Sequence, residues 1–375
     1  MVKKTVIWLI VFALLCLAPV IVDAAKDKPA SREAQKKMKE AEKALKGNNQ
    51  EKAEMLFLEI IEIEPDFAPS YFGLAAIQKK RNQIDDALDS MSRGLALRPD
   101  QAVLQNFNEI LFRESGKLMQ SGKSAKANDY LLKLLNHPQN KGLKDDLLID
   151  INYKVAVNYF NLRQYENALE FMNKVESMSK DQPSFLEYYA NSVYMNGIIH
   201  GALKNVGEAN KYLRQFITLK TENPDNTYLP LANYFLASIN FEALKEATDK
   251  LDKQLEDINK EIDKLNQNTK IRPREREAKA KEMKERIDAV KKEKIETAKS
   301  EYDNIMPYVV NALELNDELL DAHVIKGNYQ YLCHDLEAAL ETYKNLVAKF
   351  PNAEDINAYK SFLKDIEKEK TAENK

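Results

Sequence analysis

Residues 53–68 read AEMLFLEIIEIEPDFA and residues 87–102 read ALDSMSRGLALRPDQA. In both, an alanine is followed by a large apolar residue four positions later and a proline twelve later, and the set recurs after 34 residues. The alanine column continues as Ala53, Ala87, Ala127, Ala168, Ala209 and Ala339, with Phe57, Met91, Leu131, Met172, Leu213 and Tyr343 as the large partners. Twelve residues before each alanine stands another small residue: Ala41, Ala75, Ser115, Ala156, Gly197 and Gly327. Two antiparallel helices approach closely only where both carry small side chains at the crossing and large ones fill the flanks, so these columns predict a helical hairpin. One hairpin cannot bury its apolar face alone, and repeated hairpins stack on one another. Pro65, Pro99 and Pro351 lack the amide hydrogen needed to continue the second helix.

These columns resemble the tetratricopeptide repeat family, whose small, large, small and proline positions match Ala41 to Pro65, Ala75 to Pro99 and Gly327 to Pro351. The resemblance covers nearly all of residues 34–353 and lacks the family's usual first-helix tryptophan. It implies an all-α solenoid of about seven helical hairpins that binds other proteins. Between Ala87 and Ala209 the steps lengthen to 40 and 41 residues, which predicts longer loops between repeats, with Pro138, Pro183 and Pro224 in them.

The composition agrees with a helical fold. The 375 residues include only 10 Gly and 12 Pro, with 56 Lys+Arg against 59 Asp+Glu. That near-neutral balance excludes a basic field able to make nucleic acid the principal ligand. Two cysteines, Cys16 and Cys333, are too few for a disulfide framework.

Lys3 and Lys4 precede an apolar run from Val6 to Ala18, and Val22-Asp23-Ala24 resembles a signal-peptidase site ahead of Ala25. Residues 1–24 are expected to be a secretory signal and 25–33 a linker, which would place the chain in a bacterial periplasm. An uncleaved membrane anchor is the alternative. Removing Lys3, Lys4 and Asp23 with the leader would move the net charge from −3 to −4.

The repeat pattern is interrupted after Tyr234, Leu236 and Ala237, and resumes at Tyr302, Tyr308 and Ala312. In between, Leu244, Leu251, Leu255, Ile258, Ile262 and Leu265 keep seven-, four- and three-residue spacings, as do Met283, Ile287 and Val290. Folding back at 266–269 pairs Ile258 with Met283, Leu255 with Ile287, Leu251 with Val290 and Leu244 with Ala298. The expected organisation is a first solenoid part at 34–245, an antiparallel coiled-coil hairpin at 246–294, last repeats at 295–367 and a charged tail at 368–375. The arm would project about 35 Å at ~1.5 Å per helical residue, with an irregularity between Val290 and Ile295. Its tip, residues 264–286, carries nine Lys/Arg against four Asp/Glu, a local charge of +5. Arg272, Arg274 and Arg276 are the candidate contacts there for an acidic partner or phosphate-bearing lipid.

The stretch Gly116-Lys117-Leu118-Met119-Gln120-Ser121-Gly122-Lys123-Ser124 ends like a phosphate-binding loop, but its first glycine is one position early and no strand precedes it. A turn within a repeat is the better reading. Cys333-His334 with His323 lacks a fourth ligand at metal spacing, and His137 and His200 fall in other repeats. No catalytic constellation, cofactor or metal is expected. The chain reads as a scaffold, not an enzyme.

Fifteen residues before the alanines lies an aromatic column, Phe72, Phe112, Tyr153 and Tyr194, continued by Tyr234 in the interrupted repeat. Met119, Val157, Phe160, Ile198 and Phe241 follow within one or two turns. The family resemblance implies that this face lines a concave groove for peptides or partner helices, with Asp150 and Asn191 at its rim. The rings could equally pack between first helices as core, since helical spacing serves both. The family's lysine- and asparagine-lined clamp for a terminal carboxylate is not expected, because rings hold those positions. The leading expectation is an envelope adaptor for protein partners; a membrane-tethered spacer and a glycan-binding accessory of polysaccharide export are its rivals.

Overall fold

The computed structural model describes residues 30–220, 227–268 and 271–373. The expected signal at 1–24 lies outside the described residues, as does Pro224. Among the described residues the fold is all-α, with sixteen α-helices and one 3₁₀ turn, and no helix is long and apolar enough to cross a membrane. The helices fall in two compact units divided between Leu143 and Lys144.

The first unit contains three hairpins: α1 (Arg32–Lys46) with α2 (Gln50–Ile63), α3 (Ala68–Lys80) with α4 (Ile84–Leu97), and α5 (Gln101–Gln120) with α6 (Ser124–Asn136). Capping side chains start several helices: Ser31 Oγ accepts from the Ala34 amide, Asn49 Oδ1 from Lys52 and Asp100 Oδ1 from Val103. Pro65, Pro99 and Pro138 each stand two residues beyond a helix end, where they cannot extend it.

The second unit contains α7 (Asp145–Asn161) with α8 (Tyr165–Ser179), then α9 (Leu186–Ala202) with α10 (Val206–Lys220). A long pair follows, α11 (Tyr228–Gln267) and α12 (Pro273–Ser300), and then α13 (Tyr302–Leu315) packs back on α11. The unit closes with α14 (Leu320–Leu332), α15 (Leu336–Lys349) and α16 (Ile356–Glu373). Counting α11 with α13, seven repeat hairpins are present among the described residues.

Every member of the small columns is buried, and so is every large partner. Where the small residue is glycine the reason is direct: a Cβ on Gly197 would lie 2.7 Å from Leu213 Cγ. The core therefore follows the pattern read from residues 53–102.

The turn inside six of the hairpins has a common backbone. Asn48, Asn82, Gly122, Arg163, Lys204 and His334 have φ between 58° and 72°, in the left-handed region, and each stands five residues before its column alanine. The next amide bonds back across the helix end, as from Asn49 to Ala44 O and from Lys123 to Leu118 O. Gly122, the glycine of the phosphate-loop look-alike, is one of these turn residues.

Several expectations are corrected. The extra residues between Ala87 and Ala127 lengthen helix α5, leaving the loop before it short; the next two steps have the longer loops, at 137–144 and 180–185, with Pro138 and Pro183 in them. Helix α12 runs without a break through Val290–Ile295, and the interruption comes at Glu301. The fold-back also comes later than expected, because α11 is helical to Gln267. The segment 368–375 was expected as a tail, yet α16 extends to Glu373.

The register of the long pair is shifted by about one turn. Lys294 Nζ donates to both carboxylate oxygens of Asp252 at 2.6 and 2.7 Å, Arg286 pairs with Glu261 at 2.7 Å, and Ile258 shares a shallow groove with Arg286, Ala289 and Val290, while Leu244 and Ala298 share one buried cluster at the root as expected. Lys294, which is half-buried, takes the seam position after Val290. Its aliphatic stem packs while its ammonium reaches Asp252, so the helix needs no irregularity to bring Ile295 in.

Candidate functional site

The aromatic column divides between the two units. In the first unit Phe72 is buried, its ring against Gly94 and 5.8 Å from the Arg98 guanidinium. Phe112, on α5, is half-buried, as is Met119.

In the second unit the column becomes part of a larger cluster. Tyr153 on α7 is half-buried and meets Tyr188 edge-on, with ring centroids 6.1 Å apart. Tyr194 on α9 is buried against Phe216 and Phe235, and Tyr228 lies 5.3 Å from it. Tyr228 begins α11 and is 45% exposed, which makes it the open edge of the cluster. Tyr234 is half-buried against Phe235 at 5.2 Å. The rings of α7, α9 and α11 thus form one track, its inner edges packed as core and its outer edges on the surface.

The polar groups along the track are set by the same helices. Tyr188 Oη donates to Asp150 Oδ1 at 3.3 Å, and Lys154, one turn on from Asp150, pairs with the same oxygen. Burial pushes the Tyr153, Tyr188, Tyr194 and Tyr234 phenols up, and neighbouring phenols or carboxylates add to it: Tyr228 for Tyr153 and Tyr194, Asp150 and Asp146 for Tyr188, Asp321 for Tyr234. All four are therefore neutral hydrogen-bond donors at physiological pH. Asn191 is half-buried beside them on α9.

Two other expected groove residues lie elsewhere. Phe160 is half-buried at the end of α7, its ring tilted against Tyr165 at 5.6 Å, and Phe241 is buried with Leu244, Ala298 and Ile305 at the root of the long pair. Val157 and Ile198 are half-buried. Reading one column missed Tyr188 and Tyr228. Each stands six residues before a column tyrosine, at the start of a first helix, and that recurrence was a usable signal.

At the turn of the long pair Arg272 caps α12 and is exposed, as is Arg274. Arg276 folds back, its Nη2 donating to Asn268 O at 2.6 Å, so the three arginines do not present one surface. Among the described residues no group of three His, Cys, Asp or Glu could hold a metal ion. Cys333 caps α14 with its thiol pushed up by burial, and His323 Nε2 lies 3.1 Å from Asp317 Oδ1.

Residues 56–89 match the family model described as tetratricopeptide repeat, running from helix α2 into α4 with the small-residue crossing of the second hairpin between them. The chain carries a tetratricopeptide repeat. No curated protein matches this repeat protein in sequence. Its helices are similar to the C-terminal part of a TPR repeat-containing protein from Cytophaga hutchinsonii, at 14% identity and TM-score 0.39, covering 86% of this chain and 98% of that one. They are also similar to a tetratricopeptide repeat protein from Parabacteroides merdae, at 12% identity and TM-score 0.30, covering 89% and 99%. A third likeness is to YrrB, a TPR protein with an unusual peptide-binding site, at 15% identity and TM-score 0.27, covering 51% and 88%. At such scores these likenesses do not bear on what this repeat protein binds. Repeats of this family serve protein–protein interaction.

Proposed function

We propose that this repeat protein is an exported adaptor of the bacterial cell envelope that binds an extended segment of a partner protein along the tyrosine track of its second unit. The observation that carries the reading is the open outer edge of that track, with Tyr228 exposed and Tyr153 and Tyr188 half-exposed beside it. Rings held rigid by core packing lose little side-chain freedom on binding, which is why such residues dominate interfaces. The leader-like residues 1–24 support export, and cleavage is read by N-terminal sequencing of the purified protein: a start at Met1 rejects it. The long pair α11–α12, which we read as an antiparallel coiled coil, would serve as a second contact or spacer.

The test replaces Tyr153 and Tyr228 by Ala, sparing the buried Tyr194, and follows cross-linked partners in envelope extract together with helicity. Loss of partners at unchanged helicity supports the reading. Retention of every partner by the folded variant rejects it.

A second reading, a spacer that self-associates through the long pair, draws on the half-buried Leu255, Ile262, Met283 and Ile287 along its seam. Sedimentation of a variant with residues 246–294 replaced by a short turn separates the two readings. A concentration-dependent mass that disappears with the pair favours the spacer.

A further inference from the structure

The tyrosine track is bracketed by carboxylates. At one end, on α7, Asp146 and Asp150 face Tyr188. At the other, on α14, the exposed Asp321 faces both Tyr234 and Tyr359. Asp355, also exposed, stands beside Tyr359.

On α7 the carboxylates Asp145, Asp146 and Asp150 outnumber the single Lys154, while on α14 Asp321 is matched in number by Lys326 five residues on, too far round the helix to share its face. Lys154 is already paired with Asp150, leaving Asp146 in excess. Lys220 is buried on Glu187 at 2.8 Å, and the Arg214 guanidinium is stacked 4.8 Å over the Tyr308 ring. Between the acidic ends run ring faces and neutral phenols. A ring face carries negative potential and attracts a guanidinium or ammonium within about 6 Å of its centre. Carboxylates at both ends add long-range attraction for the same charge and repel an acidic or carboxylate-terminated segment.

We infer that the partner segment is basic: an extended arginine- or lysine-bearing peptide whose side chains alternate between tyrosine faces and the carboxylates of Asp146, Asp321 and Asp355. This deepens the function proposed above and rests on it. Arginine is favoured over lysine, because its planar guanidinium stacks on a ring and still bonds a carboxylate through its edge. Backbone carbonyls of the segment would accept from the neutral tyrosine hydroxyls.

The test uses the full chain and fluorescence anisotropy with labelled hexa-arginine, hexalysine, hexaglutamate and an uncharged leucine-serine peptide. Hexa-arginine should bind more tightly than hexalysine, hexaglutamate should not bind, and added salt should weaken the complex. The double variant Asp146→Asn and Asp321→Asn, folded by circular dichroism, should bind hexa-arginine roughly 5–10-fold more weakly, since a partly exposed ion pair contributes up to about 1 kcal/mol. Tyr228→Phe should retain binding that Tyr228→Leu loses, because the ring and not the hydroxyl holds the cation. Hexa-arginine affinity unchanged in the Asp variant would mean attraction by general surface charge and would overturn the inference. A leucine-serine peptide that binds and is lost in the Tyr153→Ala, Tyr228→Ala variant would overturn it too, while leaving the adaptor reading in place. The adaptor reading itself fails only if that variant keeps its cross-linked partners.

Discussion

Gly327 lies so close under the ring of Tyr343 that a Cβ on the glycine would sit 2.6 Å from Tyr343 Cε2. The ring has nowhere to withdraw. It is fully enclosed, its hydroxyl donates to Asn328 Oδ1 at 2.8 Å, and Phe362 stands edge-on at 5.0 Å. Gly327→Ala should therefore destabilise the second unit by about 1–3 kcal/mol, the usual cost of overpacking a filled core. Gly116→Ala, in a helix with open space at the same point, should stabilise by about 0.5–1 kcal/mol. Urea unfolding of the two variants checks the opposite signs.

Arg163 holds the left-handed turn between α7 and α8 at φ 58°, where a Cβ is unfavourable. Arg163→Gly should raise stability by about 0.5–1 kcal/mol, the relief exceeding the added freedom of the unfolded chain. The same change at Asn82, a residue type that tolerates this backbone, should have a smaller effect. Thermal unfolding compares the two.

Lys294 lies in the seam of the long pair with its ammonium on Asp252. Asp252→Ala should loosen the pair by about 1 kcal/mol, because the half-buried ammonium loses its partner. Asp252→Leu with Lys294→Leu should recover that loss. Hydrogen exchange along α12 reads both.

The His200 ring is stacked on Tyr212 at a centroid distance of 5.5 Å, with Nδ1 enclosed and lacking a hydrogen-bond partner. Burial holds its pKa below the ordinary 6.5, and Glu208 and Lys211 face it with opposing effects. A base whose folded pKa is depressed binds its proton more readily in the unfolded chain. The stability it contributes is therefore complete above pH 6.5 and falls as the pH drops from there to the depressed value. In His200→Gln the melting temperature should fall less steeply below pH 6.5 than in the parent protein.

The hairpins, their crossings and their order were legible because a close helix approach admits few residue types, and those types recur at a countable spacing. The charged seam position at Lys294 was not legible: a lysine in a list of apolar spacings reads as a phase slip. The aromatic column was visible, but its partition was not. Tyr194 and Phe72 are buried, while Tyr228, outside the column, is the open ring of the track.

Sequence alone determined that the chain is a series of antiparallel helical pairs, since small residues facing large ones dictate local packing within some forty residues. The tertiary structure alone decided which tyrosines meet across α7, α9 and α11, which carboxylates face them, and how α11 and α12 align. Those relationships depend on the angle and offset at which successive helices pack, and side chains distant along the chain determine them jointly.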